Sequence, residues 1–162
     1  MIPSTLEVLG KETFAGCSNL TSVVFSGGSR LREIGDGCFA NTGLKVFEAP
    51  PNLKKICSGA FGFCESLQRV VLNEGLETVG EDDEKSSSGY GVFKSSGIEE
   101  LVLPSTLVKL GRNTFQKCRS LKKVWIEQRC QIRIKDYLQP EVDAQVFRAG
   151  DGNPLDSTKN NK

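Results

Sequence analysis

The six cysteines are the residues of this chain with the most versatile chemistry, because a thiol can bind a metal, form a disulfide or attack a substrate. No two of them form a Cys-x-x-Cys pair, and the chain contains no histidine, so the common zinc-ligand patterns are missing. The lack of histidine also removes Ser-His-Asp and Cys-His catalysis. The sequence therefore predicts no enzyme, no metal site and no cofactor.

Acidic residues are numerous, but no pattern in the sequence brings two of them together in a cleft. The acidic run 81–84 could attract a cation loosely, and a solvated loop is the stronger interpretation. Gly27-Gly28 is not followed by Gly-Lys-Ser/Thr, so it is not a phosphate-binding loop. These observations favour a binding or structural protein.

Charge and hydropathy exclude two classes of partner. The 162 residues include 21 Lys+Arg and 20 Asp+Glu, a net charge of +1, so no bulk field attracts nucleic acid or an anionic membrane. No apolar run reaches the roughly 18 residues that a membrane span needs. Residues 1–5 lack the charged and apolar segments of a signal peptide. We therefore expect neither nucleic-acid binding nor membrane insertion by this segment.

A short sequence motif centred on a phenylalanine recurs five times along the chain, at Phe14, Phe39, Phe61, Phe93 and Phe115. Each phenylalanine follows a glycine or cysteine and precedes an aliphatic residue five or six places later. Self-similarity with a period of about 20–50 residues is typical of a stacked solenoid. We call each repeat a coil and number the coils one to five in chain order.

Each coil has two apolar segments that predict strands. After the phenylalanine comes Leu-x-x-Val-x-Ile, as in Leu121, Val124 and Ile126, whose last three residues alternate as in a strand with one buried face. Before the glycine comes a second apolar pair, such as Leu107 and Leu110, which predicts a shorter strand on the opposite side of the coil. We expect the glycine to permit a sharp turn and the phenylalanine to fill the interior.

The repeat sequence resembles that of the BspA-like leucine-rich repeat family, whose repeats carry the motif Ile-Gly-x-x-Ala-Phe-x-x-Cys-x-x-Leu. The matching stretches are Ile34-Gly35-Asp36-Gly37-Cys38-Phe39 and the run from Ala60 to Leu67. The resemblance implies a leucine-rich repeat solenoid: a right-handed, β-rich superhelix with a parallel concave sheet and short turns or 3₁₀ segments on the convex side. Family members are often bacterial or protist surface proteins, several of them implicated in adhesion. A cell-surface or secreted location is expected from the resemblance alone.

The repeat divides the chain into three parts. Residues 1–126 hold the five repeats, and coil four carries nine additional residues within 81–91, an acidic and serine-rich stretch expected to be a mobile excursion. Residues 127–148 are a degenerate C-terminal capping segment, and 149–162 are expected to be a disordered polar tail.

Both ends of the repeat region carry a further expectation. Residues 2–6 match 103–107 from inside a repeat, so we expect the chain to be a piece of a longer protein. Residues 130–134 alternate in the way that would add one more strand. Residues 137–147 supply the apolar side chains of a short cap.

Three cysteines share one position of the repeat: Cys17, Cys64 and Cys118. Adjacent coils stack about 4.7–4.9 Å apart, so cysteines two coils apart exceed the Cα separation of about 7 Å that a disulfide tolerates. We expect buried thiols that bond weakly to turn carbonyls. Cys38 and Cys57 occupy small-residue positions and are interpreted as packing residues, whereas Cys130 lies outside the repeat and an exposed thiol is one interpretation of it.

The outward residues of the longer strands form a candidate protein-contact face. One row is Val24, Glu48, Val71, Val102 and Trp125, and the row beside it is Val46, Arg69, Glu100 and Lys123. Four members of the first row are apolar on a face expected in water, and Trp and Arg are favoured anchors of interfaces. Strand propensity alone explains the valines equally well, and burial of Trp125 beneath the C-terminal segment is a further alternative.

The leading functional hypothesis is a non-catalytic leucine-rich repeat module that presents its concave sheet to another protein or glycoprotein, in cell-surface adhesion or recognition of a host or partner. The alternative is a structural spacer or self-associating stalk within a longer surface protein, because open solenoid ends favour end-to-end contacts.

Overall fold

The computed structural model describes residues 1–80, 90–140 and 142–148. In chain order the strands are β1 (Val8–Leu9), β2 (Glu33–Ile34), β3 (Val46–Glu48), β4 (Lys55–Ile56), β5 (Arg69–Val71), β6 (Thr78–Val79), β7 (Glu100–Leu103), β8 (Lys109–Leu110), β9 (Lys123–Ile126) and β10 (Gln145–Arg148). A 3₁₀ helix, Ile134–Asp136, is the one helix in these ranges.

The strands form two sheets, and every pairing within them is parallel. Strands β1, β2, β4, β6 and β8 make the short-strand sheet, and β3, β5, β7, β9 and β10 make the long-strand sheet. Each coil places one short strand in the first sheet and, from coil two onwards, one longer strand in the second. The predicted leucine-rich repeat solenoid with parallel sheets is confirmed, as is the second strand on the opposite side of each coil.

The phenylalanines form a stack along the interior. Phe39, Phe61, Phe93 and Phe115 are fully buried. The centroids of Phe39 and Phe61 lie 5.4 Å apart at 14° between ring planes, and those of Phe93 and Phe115 lie 6.1 Å apart at 8°. Such ring pairs contribute about 0.5–1.5 kcal/mol beyond the burial of their area. Phe14 stacks on Phe39 but remains half-buried, since no further coil covers it in the described chain.

Close approach between adjacent coils explains four glycines whose φ is not positive, namely Gly35, Gly43, Gly91 and Gly97. Of the repeat glycines Gly10, Gly35, Gly80 and Gly111, Gly80 alone has a positive φ, although Gly37 and Gly59, two places before a phenylalanine, also have one. A Cβ at Gly35 would lie 2.8 Å from the backbone nitrogen of Lys11 in the preceding coil. A Cβ at Gly97 would lie 2.0 Å from the carbonyl oxygen of Glu65. Glycine is therefore required there because no side-chain atom fits between adjacent coils.

Every coil also has a left-handed residue two places after its phenylalanine. These residues are Gly16, Asn41, Phe63, Ser95 and Lys117, with φ between 54° and 75°.

At both ends of the solenoid, residues outside the five repeats pair with the neighbouring coil. Ile2 bridges to Phe25 in parallel, beside the long-strand sheet, so the first residues occupy the register of a preceding strand. At the other end the strand predicted over 130–134 is wrong: the Cys130 N–H donates to the Glu127 carbonyl in a turn, and the 3₁₀ helix follows. β10 is the strand that extends the sheet beside β9. The excursion predicted within 81–91, apart from its last two residues, and the polar tail 149–162 lie outside the described residues.

Candidate interaction surfaces

The predicted contact face consists of two rows that cross the long-strand sheet in register. One row aligns Glu48, Val71, Val102, Trp125 and Phe147. The other aligns Val46, Arg69, Glu100, Lys123 and Gln145. With strands about 4.8 Å apart, each row is about 20 Å long. The structure thus brings together eight of the nine predicted residues, and Val24 lies next to Phe25 at the edge of the same sheet.

Exposure along these rows differs from the prediction. Val71, Val102 and Trp125 are buried, so the expectation of an apolar ladder in water is wrong for its centre and its C-terminal end. Val102 lies between Val71 and Trp125 in the register, so an apolar side chain flanks it on each side. The apolar side chains that do reach solvent are Val24, 56% exposed, and Val46, 44% exposed.

Trp125 packs beneath the C-terminal segment. Its ring stacks on Phe147 of β10, with centroids 4.5 Å apart and 23° between the planes. The indole Nε1–H is buried and has no acceptor among the described residues. Trp125 is therefore a packing residue of the last strand pair, as the alternative interpretation held, and it is not an exposed anchor.

Charged residues supply most of the exposed chemistry of this face. Lys123 Nζ lies 3.2 Å from Glu100 Oε1, and both side chains are half-buried. An ion pair at this exposure stabilises the fold by roughly 0–1 kcal/mol. Arg69, in the same row, makes no ion pair with a described residue and is half-buried. A guanidinium in this setting is available to a partner carboxylate.

The thiols at the shared cysteine position bond to turn carbonyls in two of three coils. Cys64 Sγ donates to the Phe39 carbonyl at 3.0 Å, and Cys118 Sγ donates to the Phe93 carbonyl at 2.9 Å. Cys17 is exposed, because no described coil precedes it to cover the thiol and supply the carbonyl. The buried, carbonyl-bonded thiol is confirmed for Cys64 and Cys118 and wrong for Cys17.

The buried thiols are poor nucleophiles. Burial raises the pKa of Cys118 and of Cys38 to about 11, and burial together with the Glu33 carboxylate raises the pKa of Cys57 to about 12. Cys130 is buried too, contrary to an exposed thiol, because its turn folds into the core; burial likewise raises its pKa. All six cysteines are free thiols, and none forms a disulfide. Thiols that keep their protons at neutral pH react slowly with electrophiles.

A groove that sequence reasoning missed crosses the turns of coils one to three. It has a volume of about 370 Å³. Its floor contains Ala15, Ala40 and Gly62, which are the residues that follow the phenylalanine in each of these coils. Phe63 and Tyr90 form one wall, with ring centroids 5.9 Å apart in an edge-to-face arrangement. We call this the turn-face groove.

Phe63 has an unfavourable backbone conformation for its residue type. Its φ is 59°, and its side chain is 42% exposed. The left-handed region costs an ordinary residue about 1–3 kcal/mol, and glycine or asparagine tolerates it best. Gly16 and Asn41 occupy this position in coils one and two. Phe63 therefore pays the cost of a left-handed backbone while its half-exposed ring buries little apolar surface in the fold. This combination points to a use of the ring at the surface. The sequence signal that would have revealed this residue is a phenylalanine at the position where the other coils carry Gly, Asn, Ser or Lys.

Two kinds of site are absent from the described part of the chain. Within residues 1–80, 90–140 and 142–148, no cluster of His, Cys, Asp or Glu side chains is arranged to hold a metal ion. The same ranges contain no helix of the length and apolarity that crossing a membrane requires.

Comparison with known sequences identifies the repeat. The family model described as BspA type leucine-rich repeat region matches residues 1–83 and 81–138 with six copies, one more than the five motifs counted from the sequence. No curated protein sequence matches the chain.

Several solved structures share the fold. The pneumococcal vaccine antigen PcpA is 28% identical, with a TM-score of 0.69 over 80% of this chain and 30% of its own. A leucine-rich cell surface protein from Faecalibacterium prausnitzii is 19% identical, with a TM-score of 0.53 over 77% of this chain and 38% of its own. The T. pallidum leucine-rich repeat protein is 21% identical, with a TM-score of 0.56 over 88% of this chain and 67% of its own. The chain thus spans about a third of the first two proteins.

Proposed function

Because the chain belongs to the BspA-type leucine-rich repeat family, we propose that it is a protein-binding module that acts at a cell surface, in adhesion or in recognition of a host or partner protein or glycoprotein. Repeat modules of this kind commonly mediate protein interactions through their extended sheet. The protein from F. prausnitzii that shares the fold is a cell surface protein, and PcpA is a vaccine antigen, which supports the location.

The N-terminal half of the long-strand sheet supports this proposal best. There Val46 exposes apolar surface opposite Arg69 and on the same strand as Glu48, and Val24, next to Phe25, is exposed too. Apolar side chains beside an arginine that makes no ion pair with a described residue are typical of the centre of a protein interface. The C-terminal half has its apolar row covered, so we place the contact on coils one to three.

A charge reversal at this surface tests the proposal. The double variant Val46→Glu/Arg69→Glu removes one apolar contact and one cation. The matched control is Val108→Glu/Lys109→Glu, which makes the same types of change at two exposed residues. Lys109 lies in β8 of the short-strand sheet, and Val108 directly precedes that strand. Each protein is immobilised and exposed to biotin-labelled surface proteins of cultured epithelial cells, and the captured partner is then purified for titration.

The first double variant is expected to weaken the affinity for the captured partner at least tenfold, about 1.4 kcal/mol, and the control less than twofold. Equal binding by the wild type and the first double variant would exclude the long-strand sheet as the contact. Circular dichroism of both variants checks that neither has unfolded.

The alternative, a self-associating spacer, is favoured by one observation at the N-terminal end. Leu6, Phe14 and Leu20 of coil one are half-buried, whereas Leu31 and Phe39 of coil two are fully buried. Inter-coil hydrogen bonds in the turns run from an N–H to the carbonyl of the following coil, as from Phe14 N to Cys38 O at 2.8 Å. The carbonyls of Thr13 and Ala15, which correspond to those of Cys38 and Ala40, accept no hydrogen bond from a described residue and can take donors of another chain. Light scattering that finds a monomer at every concentration would rule out this function, and a mass that rises with concentration and falls in Phe14→Ser would support it.

A further inference from the structure

The turn-face groove exists because three consecutive coils carry very small residues at one position. The residues after the phenylalanine are Ala15, Ala40 and Gly62 in coils one to three, then Lys94 and Gln116 in coils four and five. The short side chains leave an open floor, and the longer Lys94 and Gln116 are not among the residues that line the groove. The site is therefore a local feature of these coils and not a property that every copy of the repeat shares.

The polar groups of the groove suit an uncharged ligand. Lys11 Nζ lies 3.9 Å from Glu12 Oε1, so these two charges largely cancel at one end. Lys94 Nζ lies 4.0 Å from the centroid of the Tyr90 ring at the other end. The charged residues that line the groove are Lys11, Glu12 and Asp36, and Lys94 lies outside this lining, over the Tyr90 ring. With Lys94 included, the formal charges of the four side chains sum to zero. Neither an anion nor a polycation gains from such a field.

Two groups inside the groove remain available for hydrogen bonding to a ligand. Asp36 is half-buried and makes no ion pair with a described residue. Ser58 is buried, lines the groove and makes no side-chain hydrogen bond with a described residue. A carboxylate accepts hydrogen bonds, and a serine hydroxyl both donates and accepts them. The pair therefore fits a ligand rich in hydroxyl groups.

The aromatic wall supplies the apolar half of the recognition. Phe63 and Tyr90 are 42% and 45% exposed, so each offers ring surface to the groove. Lys94 already covers one face of Tyr90, which holds that ring in place. Ring faces bind the C–H face of a flat or chair-shaped ligand by removing both surfaces from water.

We propose that the turn-face groove binds a neutral saccharide, with one sugar ring against Phe63 and its hydroxyls bonded to Asp36 and Ser58. Its volume of about 370 Å³ lies within the range, roughly 300–1,000 Å³, of pockets that enclose small organic ligands. A neutral sugar combines an apolar face with many hydroxyls and no charge, which matches the rings, the hydrogen-bonding groups and the zero net charge. This site is on the turns, apart from the long-strand sheet, so it stands or falls independently of the proposed protein contact.

The test uses a panel of neutral disaccharides, namely lactose, cellobiose, maltose and chitobiose, titrated into the full chain. Binding is followed by the NMR signals of the Phe63 and Tyr90 rings, up to about 10 mM sugar, a range that detects a Kd of about 1 mM. At least one disaccharide is expected to shift both ring signals in a saturable manner.

Phe63→Asn is the decisive variant, since asparagine occupies the same left-handed position in coil two and keeps the fold. It is expected to weaken binding at least about tenfold, and its matched control Lys117→Asn, at the same position of coil five, less than about twofold. Ala40→Gln, which places in coil two the residue that coil five carries, should abolish binding by filling the floor. The proposal is overturned if no disaccharide shifts the ring signals, if Phe63→Asn binds as well as the wild type, or if a peptide library occupies the groove while every sugar remains inert.

Discussion

Replacing Gly97 by alanine should destabilise the solenoid through contact between adjacent coils. Gly97 lies in the turn of coil four, where its N–H donates to the Cys64 carbonyl of coil three at 3.0 Å. A Cβ at this position would lie 2.0 Å from the Glu65 carbonyl oxygen and 2.9 Å from its carbon. Both atoms are backbone, so no side-chain rotation relieves the overlap. The coils must move apart at this point.

The expected loss follows from two terms. Forcing an additional carbon into a packed region costs about 1–3 kcal/mol. Moving the coils apart also weakens the hydrogen bond from Gly97 to Cys64, which contributes about 0.5–1.5 kcal/mol. Together they predict a loss of about 2–4 kcal/mol, a large fraction of the roughly 5–15 kcal/mol by which native domains are stable.

Urea denaturation measures this loss, with Trp125 fluorescence and far-ultraviolet circular dichroism as two probes. A slope of about 1–3 kcal/mol per molar urea converts the loss into a midpoint lower by about 1–2 M. The matched control is Gly27→Ala, because a Cβ at Gly27 meets nothing within 4 Å and its φ is not positive. That variant is expected to gain about 0.4–1 kcal/mol by restricting the unfolded chain.

A repeat of the experiment at Gly43, where a Cβ would lie 2.2 Å from the Ser18 carbonyl oxygen, should give a similar loss. If Gly97→Ala lies within about 0.5 kcal/mol of the wild type, or shifts the midpoint in the same direction as Gly27→Ala, the explanation of these glycines by inter-coil contact is refuted.

Three further predictions concern the core and the thiols. In the native protein a thiol reagent at pH 8 should label Cys17 rapidly and the five buried cysteines only on unfolding, so Cys17→Ser should abolish the fast phase; a fast phase that persists would contradict the burial. Phe61→Ala should lose about 3–5 kcal/mol in urea denaturation because it leaves a cavity in the ring stack, and Phe14→Ala should lose clearly less because Phe14 is half-buried; equal losses would contradict the difference in packing. Burial raises the pKa of Cys118 from 9.0 to about 11, so the folded state holds the thiol proton more tightly than the unfolded state does. The stability that this protonated thiol contributes is complete below pH 9 and is lost as the pH rises through 11. The urea midpoint of Cys118→Ala should therefore fall less steeply between pH 9 and 11 than that of the wild type, and an equally steep fall would refute this.

The repeat made the fold predictable from sequence. A phenylalanine that recurs with the same apolar neighbours can be buried only if every coil repeats the same path, so the two strands of each coil and their parallel stacking follow from Phe39 and Phe61 and the residues in register with them. The same register predicted the carbonyl-bonded thiols of Cys64 and Cys118. Local pattern was sufficient wherever each coil contacts only its neighbours.

The candidate contact face was predicted in position but not in exposure. Alternation along a strand shows which side chains point outward, and the register confirms the rows. It does not show what covers them, because Trp125 is buried by Phe147, which lies 22 residues later on a strand that departs from the repeat. Cys130 is buried because its turn, which lies outside the repeat, folds into the core.

The sequence by itself therefore determined the solenoid, the order of its strands, the aromatic interior and the absence of histidine-based chemistry, since these depend on residue type and on contacts between successive coils. The tertiary structure alone decided which outward side chains remain in solvent, that Gly97 and Gly43 are there to admit a neighbouring carbonyl, and that Phe63 and Tyr90, from different coils, form one wall of a groove. Those features depend on distances across the stack and on irregular segments such as β10, which no repeat of the sequence records.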